Sequence, residues 1–369
     1  MSGKEKNIKE AENHQKKSLE QKKPCISVII VNYNGLKVLK RCLTSLLNTR
    51  YESFEIVLVD NCSTDGSVDV GKKLISKHPY HKIIQNKENI GFAEGSNIGA
   101  KFSCGDYIVF LNNDTEVEPD WLEELIKVME SDPSIGVCQS KLLSFSNHHY
   151  FDSAGDIVDR YGVGIRRGGD WGEEDVGQYN KVEPIFSARG AAMIVRRSVI
   201  EEIGLFDSFF SLTYTDIDFC WRIRLRGYKV VYVPKSIVYH IGKASTSAPA
   251  SVFYSTGNRI ALLIKNYSLS NVVRYMPMAL FIVAVTIAME LLQRNPSLAL
   301  FRFKGLVSVV TNFKRLWRSR LDVQFNKRVV PDSEIMKELS DQNLAISNWL
   351  PIYLRGLLGQ SKRLESQNR

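Results

Sequence analysis

Four short apolar runs, each ended by a polar tip and separated by stretches of helical periodicity, constrain this chain more than anything else in it. Ser27-Val-Ile-Ile-Val31 runs into Asn32-Tyr-Asn-Gly35, after which Leu36, Leu39, Leu43, Leu46 and Leu47 recur at helical spacing. Phe54-Glu-Ile-Val-Leu-Val-Asp60 ends in a carboxylate, followed by a polar loop to Gly66 and a helical stretch from Ser67 to His78. Lys82 to Gln85 is a weaker third strand, with a small-residue helix from Phe92 to Phe102 after it. Tyr107 to Leu111 is the fourth strand, and Asn112, Asn113 and Asp114 stand directly behind it. The alternation β-α-β-α-β-α-β predicts a mostly parallel sheet covered by helices. Every polar tip follows a strand, so Asn32, Asp60, Asn89 and Asn112 to Asp114 gather along one edge, where open α/β sheets place their ligands.

The tip after the fourth strand holds the most chemistry. A strand buried on both faces, an oxygen-rich turn and a helix opened near Pro119 make a seat for a hard cation holding a diphosphate. A plain polar turn is the competing reading, since Asn and Asp favour turns. No Gly-x-Gly-x-x-Gly follows the first strand and no Gly-Lys-Ser/Thr occurs, which disfavours a dinucleotide oxidoreductase and a P-loop ATPase.

In order along the chain, Ser27 to Asn34, Val59-Asp-Asn-Cys-Ser-Thr-Asp-Gly-Ser67, Asn89-Ile-Gly-Phe-Ala-Glu-Gly-Ser-Asn97 and Leu111-Asn-Asn-Asp-Thr115 resemble the family 2 inverting glycosyltransferases. The likeness continues through Gly190 to Arg197, Gly204-Leu-Phe-Asp207, Thr215-Asp-Ile-Asp-Phe-Cys-Trp-Arg222 and Gly227-Tyr to Tyr239-His240, covering roughly residues 26 to 265. The branch it most resembles is the rhamnosyltransferase-like enzymes of surface-polysaccharide biosynthesis. The resemblance implies a GT-A fold, a nucleotide-diphosphate sugar donor and a divalent cation, Mg2+ or Mn2+.

It also implies roles for single residues. Asp60 matches the acid that recognises base and ribose, against a turn-cap alternative. Val31 and Tyr33 match positions bordering the base, and Gly91 and Asn97 the stretch that closes over the nucleotide. Asn112-Asn113-Asp114 matches an Asp-x-Asp motif with Asn in first place, leaving Asp114 as the charged metal ligand and Asn112 as a weaker contact. Thr215-Asp216 matches the motif whose Asp is the general base of inverting transfer, with Thr215 where most relatives carry Glu. Asp218 reads as structural, paired with Arg222 four residues on. His240 is a second metal or diphosphate ligand or a structural histidine; Arg189 meets diphosphate or acceptor or forms a surface ion pair. The glycine- and aromatic-rich stretch 143–186 reads as acceptor-site loops or a lid.

The remaining expectations come from composition. The chain of 369 residues divides into a polar disordered tail (1–24), a catalytic domain (25–265, donor half 25–118 and acceptor half 119–265), an apolar and basic helical segment (266–330) and a helical or flexible tail (331–369). Six scattered cysteines without Cys-x-x-Cys argue for a reducing compartment. Residues 291–330 carry nine Lys or Arg against one acid, and the uncharged run Tyr275 to Met289 before them is shorter than the ~20 residues of a spanning helix. Phe303, Leu306, Val310, Phe313 and Trp317 fall on one helical face. Together these predict an in-plane association with an anionic membrane surface, peripheral on the cytoplasmic face, and no nucleic-acid partner. The expected activity is transfer of a sugar, rhamnose from dTDP-rhamnose first and a UDP-sugar next, to a glycan or lipid-linked glycan. A nucleotidyltransferase and a non-catalytic sugar-nucleotide or glycan-binding scaffold are the alternatives.

Overall fold

Asn32 on the first strand lies in register with Asp60 on the second, and Val31 with Asn112 on the fourth, so three polar tips end level with one another. The computed structural model in which this is seen describes residues 25–242 and 248–349; the amino-terminal tail and most of the carboxy-terminal one lie outside them. The donor half alternates β1 (Ile26–Asn32), α1 (Leu36–Leu47), β2 (Phe54–Asp60), α2 (Ser67–Ile75), β3 (Lys82–Gln85), α3 (Gly91–Phe102) and β4 (Tyr107–Asn112), as the periodicity predicts. Strands β1 to β4 are all parallel to β1, and their alternating residues feed one apolar cluster under α1 and another against α3.

The second half departs from the simple alternation. A short strand, β5 (Thr115–Val117), follows the Asn112–Asp114 turn, so the next helix, α4 (Trp121–Ser131), starts beyond Pro119 rather than with it. After it come β6 (Ile135–Ser144), β7 (Phe151–Ser153), β8 (Asp156–Val158), β9 (Gly164–Arg166), β10 (Glu183–Pro184), β11 (Ala192–Arg196), α5 (Arg197–Ile203), α6 (Thr215–Leu225) and β12 (Lys229–His240). The main sheet runs β10-β12-β6-β11-β4-β1-β2-β3, with β5 on β12 and β7 on β6. Strand β11 is antiparallel to both β4 and β6, making the sheet mixed. The architecture is the GT-A type, a mixed α/β sheet flanked by helices.

A helical region completes the described chain: α7 (Ala248–Asn266), α8 (Leu269–Leu292), α9 (Pro296–Thr311), α10 (Phe313–Asp322) and, after a π-type turn at Val323–Lys327, α11 (Asp332–Glu338). These helices share one core with α6: Ile217, Trp221 and Leu225 are clustered with Ile260, Leu263, Tyr267, Ala279, Val309 and Leu316. That core crosses the boundary at residue 265.

Two sequence expectations change here. Helix α8 spans 24 residues, long and apolar enough to cross a membrane by length and composition. The uncharged stretch is shorter than the helix because Arg274 and Glu290 both fall inside it. The predicted single face from Phe303 to Trp317 is broken at Asn312, which ends α9 and starts α10. Five of the nine basic residues of 291–330 are engaged internally. Arg302 meets Glu290, Arg315 meets Ser208, Arg320 donates to the carbonyls of Ile264 and Tyr267, Lys327 meets Asp322, and Arg328 meets Asp332.

Candidate active site

Strand pairing, rather than proximity in sequence, assembles the cation end of the site. His240 at the end of β12 is in register with Thr115 on β5, and the Ile241 amide donates to the Asp114 carbonyl at 3.1 Å. This brings the His240 ring to the tip of β4. Its Nε2 lies 3.2 Å from Asp114 Oδ1 and 3.2 Å from Asn112 Nδ2. On the other side, Nδ1 lies 2.8 Å from Asp152 Oδ2 on β7, which pairs with β6 next to β12. Asp152 is itself held by Arg166 Nη1 at 2.7 Å. Burial alone would lower the His240 pKa, but the two carboxylates outweigh it and raise it to about 9.

This geometry suits a hard divalent cation. With Nδ1–H donated to Asp152, a neutral ring turns its Nε2 lone pair toward the space beside Asp114. One carboxylate and one imidazole do not fill a coordination sphere, and no group of three or more acidic, His or Cys ligands occurs among the described residues. That incompleteness matches a cation that completes its shell with diphosphate oxygens and water.

The neighbouring tips form one hydrogen-bonded chain. Asn113 Nδ2 donates to Asn32 Oδ1 at 2.8 Å, and Asn32 Nδ2 donates to Asp60 Oδ1 at 2.9 Å and to Ser67 Oγ at 2.9 Å. Asp60 also accepts from the Ser63 hydroxyl at 2.6 Å and the Ser63 amide at 2.9 Å. Oδ1 is thus filled by Asn32 and the Ser63 hydroxyl, and only Oδ2, which takes the Ser63 amide, keeps a lone pair for a further contact. Gly35 makes room for this chain: a Cβ there would lie 2.3 Å from Asn32 Oδ1 and 2.4 Å from Asn113 Nδ2 and would push the two amides aside. Tyr33 is half exposed at this edge, whereas Val31 is packed under Gly95, whose added Cβ would lie 2.9 Å from its methyl. Gly91 has φ +80 at the start of α3, and Asn61 Nδ2 and Asn89 Oδ1 hold its carbonyl and amide.

Asn97 corrects an expectation. Its Nδ2 donates to the Phe206 carbonyl at 2.9 Å and its Oδ1 accepts from the Phe206 amide at 3.0 Å. Both ends of the amide hold α3 to the segment before α6, and Asn97 is buried there as a latch.

Asp216 stands in the first turn of α6, facing the Gly190 amide at 3.4 Å. Two non-glycine residues at positive φ, Leu212 and Tyr214, turn the chain into this helix, and Asn258 Nδ2 steadies the turn by donating to the Ser211 and Thr213 carbonyls. Thr215 points back, its hydroxyl donating to the Phe210 carbonyl at 2.5 Å. Asp218 is fully buried and held by Arg222 at 3.0 Å, Lys265 at 2.9 Å and Asn266 at 3.0 Å. It has the structural place its spacing suggests, with two further partners from α7.

Arg189, singled out in the sequence, lies near Asp152 and Asp216 and is paired with an acid that was not, Asp156. Arg189 Nη1 is 3.1 Å from Asp156 Oδ1. Burial raises the Asp156 pKa to about 7; the nearby Asp216 charge adds to the rise and Arg189 opposes it. Asp152 and Asp156 fall within the loop-rich stretch 143–186, and nothing in their local pattern marks them.

Comparisons with known proteins bear on the family and the fold. Residues 27–204 match the family model described as Glycosyl transferase family 2. An uncharacterised protein of Sinorhizobium fredii is 28% identical over 60% of this chain and 25% of its own length. The O-antigen biosynthesis protein RfbC of Myxococcus xanthus is 30% identical over 62% of this chain and 18% of its own length. This chain therefore spans a quarter or less of either relative. A crystal structure of GalNAc-T7 with UDP, GalNAc and Mn2+ superposes with a TM-score of 0.57 at 17% identity, covering 80% of this chain and 58% of that one.

Proposed function

We propose, for a chain that carries a family 2 glycosyltransferase domain, that it transfers a sugar from a nucleotide-diphosphate donor to a glycan or lipid-linked glycan, with inversion at the anomeric carbon. The observation that carries this reading is the joint placement of Asp114 and His240, 3.2 Å apart at the sheet edge where Asn32 and Asp60 also end. Asp60, Tyr33 and Gly91 border the nucleoside. Asp114 and His240, with Asn112 beside them, would hold a Mg2+ or Mn2+, whose charge would stabilise a leaving diphosphate. Asp152 fixes the His240 ring.

Asp216 acts as the base. It takes the acceptor hydroxyl proton as the oxygen bonds to the anomeric carbon, and the bond from that carbon to the diphosphate oxygen breaks, its electron pair leaving with the nucleotide. A dTDP-rhamnose donor is the first choice and a UDP-sugar the next. Support for the metal includes the Mn2+ and UDP in the GalNAc-T7 structure.

We read the enzyme as peripheral on the cytoplasmic face of a membrane, a reading that the helical region supports. Phe281, Leu292, Phe303 and Val310 are exposed apolar residues of α8 and α9, and Arg294, Lys304, Lys314 and Arg318 are exposed cations on or beside these helices. Purified protein incubated with dTDP-rhamnose and UDP-sugars, with Mn2+ or with chelator, tests the reading: cation-dependent release of nucleoside diphosphate supports it. Nucleotidyl transfer to a sugar phosphate would replace it with the alternative chemistry.

A further inference from the structure

A cavity of about 260 Å3 is lined by Asp216, Arg189, Tyr214, Ser255, Arg259 and Arg302, among others. Two of its guanidinium groups come from α7 and α9, which cross backbone to backbone. A Cβ on Gly257 would lie 2.7 Å from the Gly305 carbonyl oxygen, and one on Gly305 2.5 Å from that of Phe253. The close crossing sets Arg302 against Thr256, whose hydroxyl accepts from Nη1 at 3.1 Å. Arg302 is otherwise satisfied by Glu290, which accepts from Nε at 3.1 Å and from Nη2 at 2.6 Å.

Arg259 has no such partner. It is 4% exposed, and its Nη2 donates to the Ala279 carbonyl at 3.2 Å. Its Nε is buried without a hydrogen-bond partner, and no carboxylate lies within ion-pair distance among the described residues. Asp159 is near enough to attract it, but that carboxylate accepts from the amides of Tyr161, Val163 and Leu344. Arg302 is near enough to repel it. Arg189 repeats the pattern in part, since its Nε is also buried and unpartnered. Burying an unpaired cation is costly unless something supplies the counter-charge. Here the buried cation opens on a cavity shared with the proposed base.

We propose that this cavity receives an anionic group of the acceptor, a phosphate ester seated on Arg259, and thereby sets the acceptor hydroxyl beside Asp216. The proposal rests on the glycosyl-transfer reading above. The planar guanidinium fork suits phosphate oxygens. The ester has two possible sources, a lipid carrier or a water-soluble phosphorylated glycan.

The test titrates the full-length protein, in the presence of chelator so that the cation-dependent donor seat is silent. One arm uses polyprenyl phosphate against uncharged polyprenol in detergent micelles. The other uses glycerol phosphate against glycerol in solution. In at least one arm the phosphate is expected to bind about tenfold or more tightly than its alcohol, and that arm identifies the source. Arg259→Met should abolish the preference and Arg259→Lys should keep part of it. Equal affinity for phosphate and alcohol in both arms, or an unchanged preference in Arg259→Met, overturns the proposal. Nucleotide-sugar binding with Mn2+ on the same samples reports whether each variant is folded. Absence of that binding in the wild-type protein would instead remove the glycosyl-transfer reading.

Discussion

His240 Nδ1 and Asp152 Oδ2 lie 2.8 Å apart across the strands β12 and β7, and this contact settles which nitrogen of the ring can face Asp114. An Nδ1–H held by a carboxylate leaves Nε2 for a cation. Asp152→Asn should therefore weaken cation binding by about 10- to 100-fold, the usual cost of losing such an orienting partner. Isothermal titration with Mn2+ and nucleotide would show it, with the fold checked by circular dichroism.

Because the carboxylates of Asp114 and Asp152 raise the His240 pKa to about 9, the ring is protonated at neutral pH before a cation arrives. Coordination at Nε2 must displace that proton. Mn2+ affinity should fall as pH drops below about 9, and calorimetry in buffers of different ionisation enthalpy should reveal release of close to one proton. For the metal-free protein the sign is opposite. A raised folded-state pKa stabilises fully below the unfolded value near 6.5, and the stabilisation is lost as pH rises through about 9. Thermal unfolding against pH should show this loss in the wild type and not in His240→Gln.

Asp114 and Asn112 both approach His240, but Asp114 alone brings a charge. Asp114→Ala should weaken cation-dependent donor binding by about tenfold or more, and Asn112→Ala by much less. Equal losses in a titration of both variants would contradict the assignment.

Asn97 gives a prediction of a different kind. Removing its amide leaves the buried amide and carbonyl of Phe206 unpaired, at about 1–3 kcal/mol for each group. Asn97→Ala should lower the denaturant midpoint by a corresponding amount while donor affinity, measured where the variant is folded, stays within about twofold of wild type.

What was legible in the chain was local. The runs ending in Asn32, Asp60 and Asn112 were readable as strands because burial on both faces leaves an unbroken apolar stretch, and their polar ends were readable as one edge because parallel crossovers align strand ends. Asp218 and Arg222 were readable because one helical turn brings positions four apart together. Asp152 was not, since its partner is 88 residues away and is reached through β6. Arg259 was not, because its meaning lies in the lack of a partner, which no pattern of residue types displays. The basic run near the carboxy terminus overstates the free charge for the same reason: formal charge counts cations, and five of the nine are engaged by acids, a hydroxyl or carbonyls of this chain. Asn97 misled because an amide that closes over a nucleotide and one that latches two backbone groups look alike in one dimension.

The most direct test of the account is Asp216→Asn. The substitution keeps shape and the approach of the Gly190 amide while removing the proton acceptor. Donor affinity, measured by calorimetry with Mn2+, should stay within about twofold of wild type, and sugar transfer should fall by about 10²- to 10⁴-fold. Transfer at the wild-type rate with donor binding intact would contradict it and remove Asp216 from the role of base.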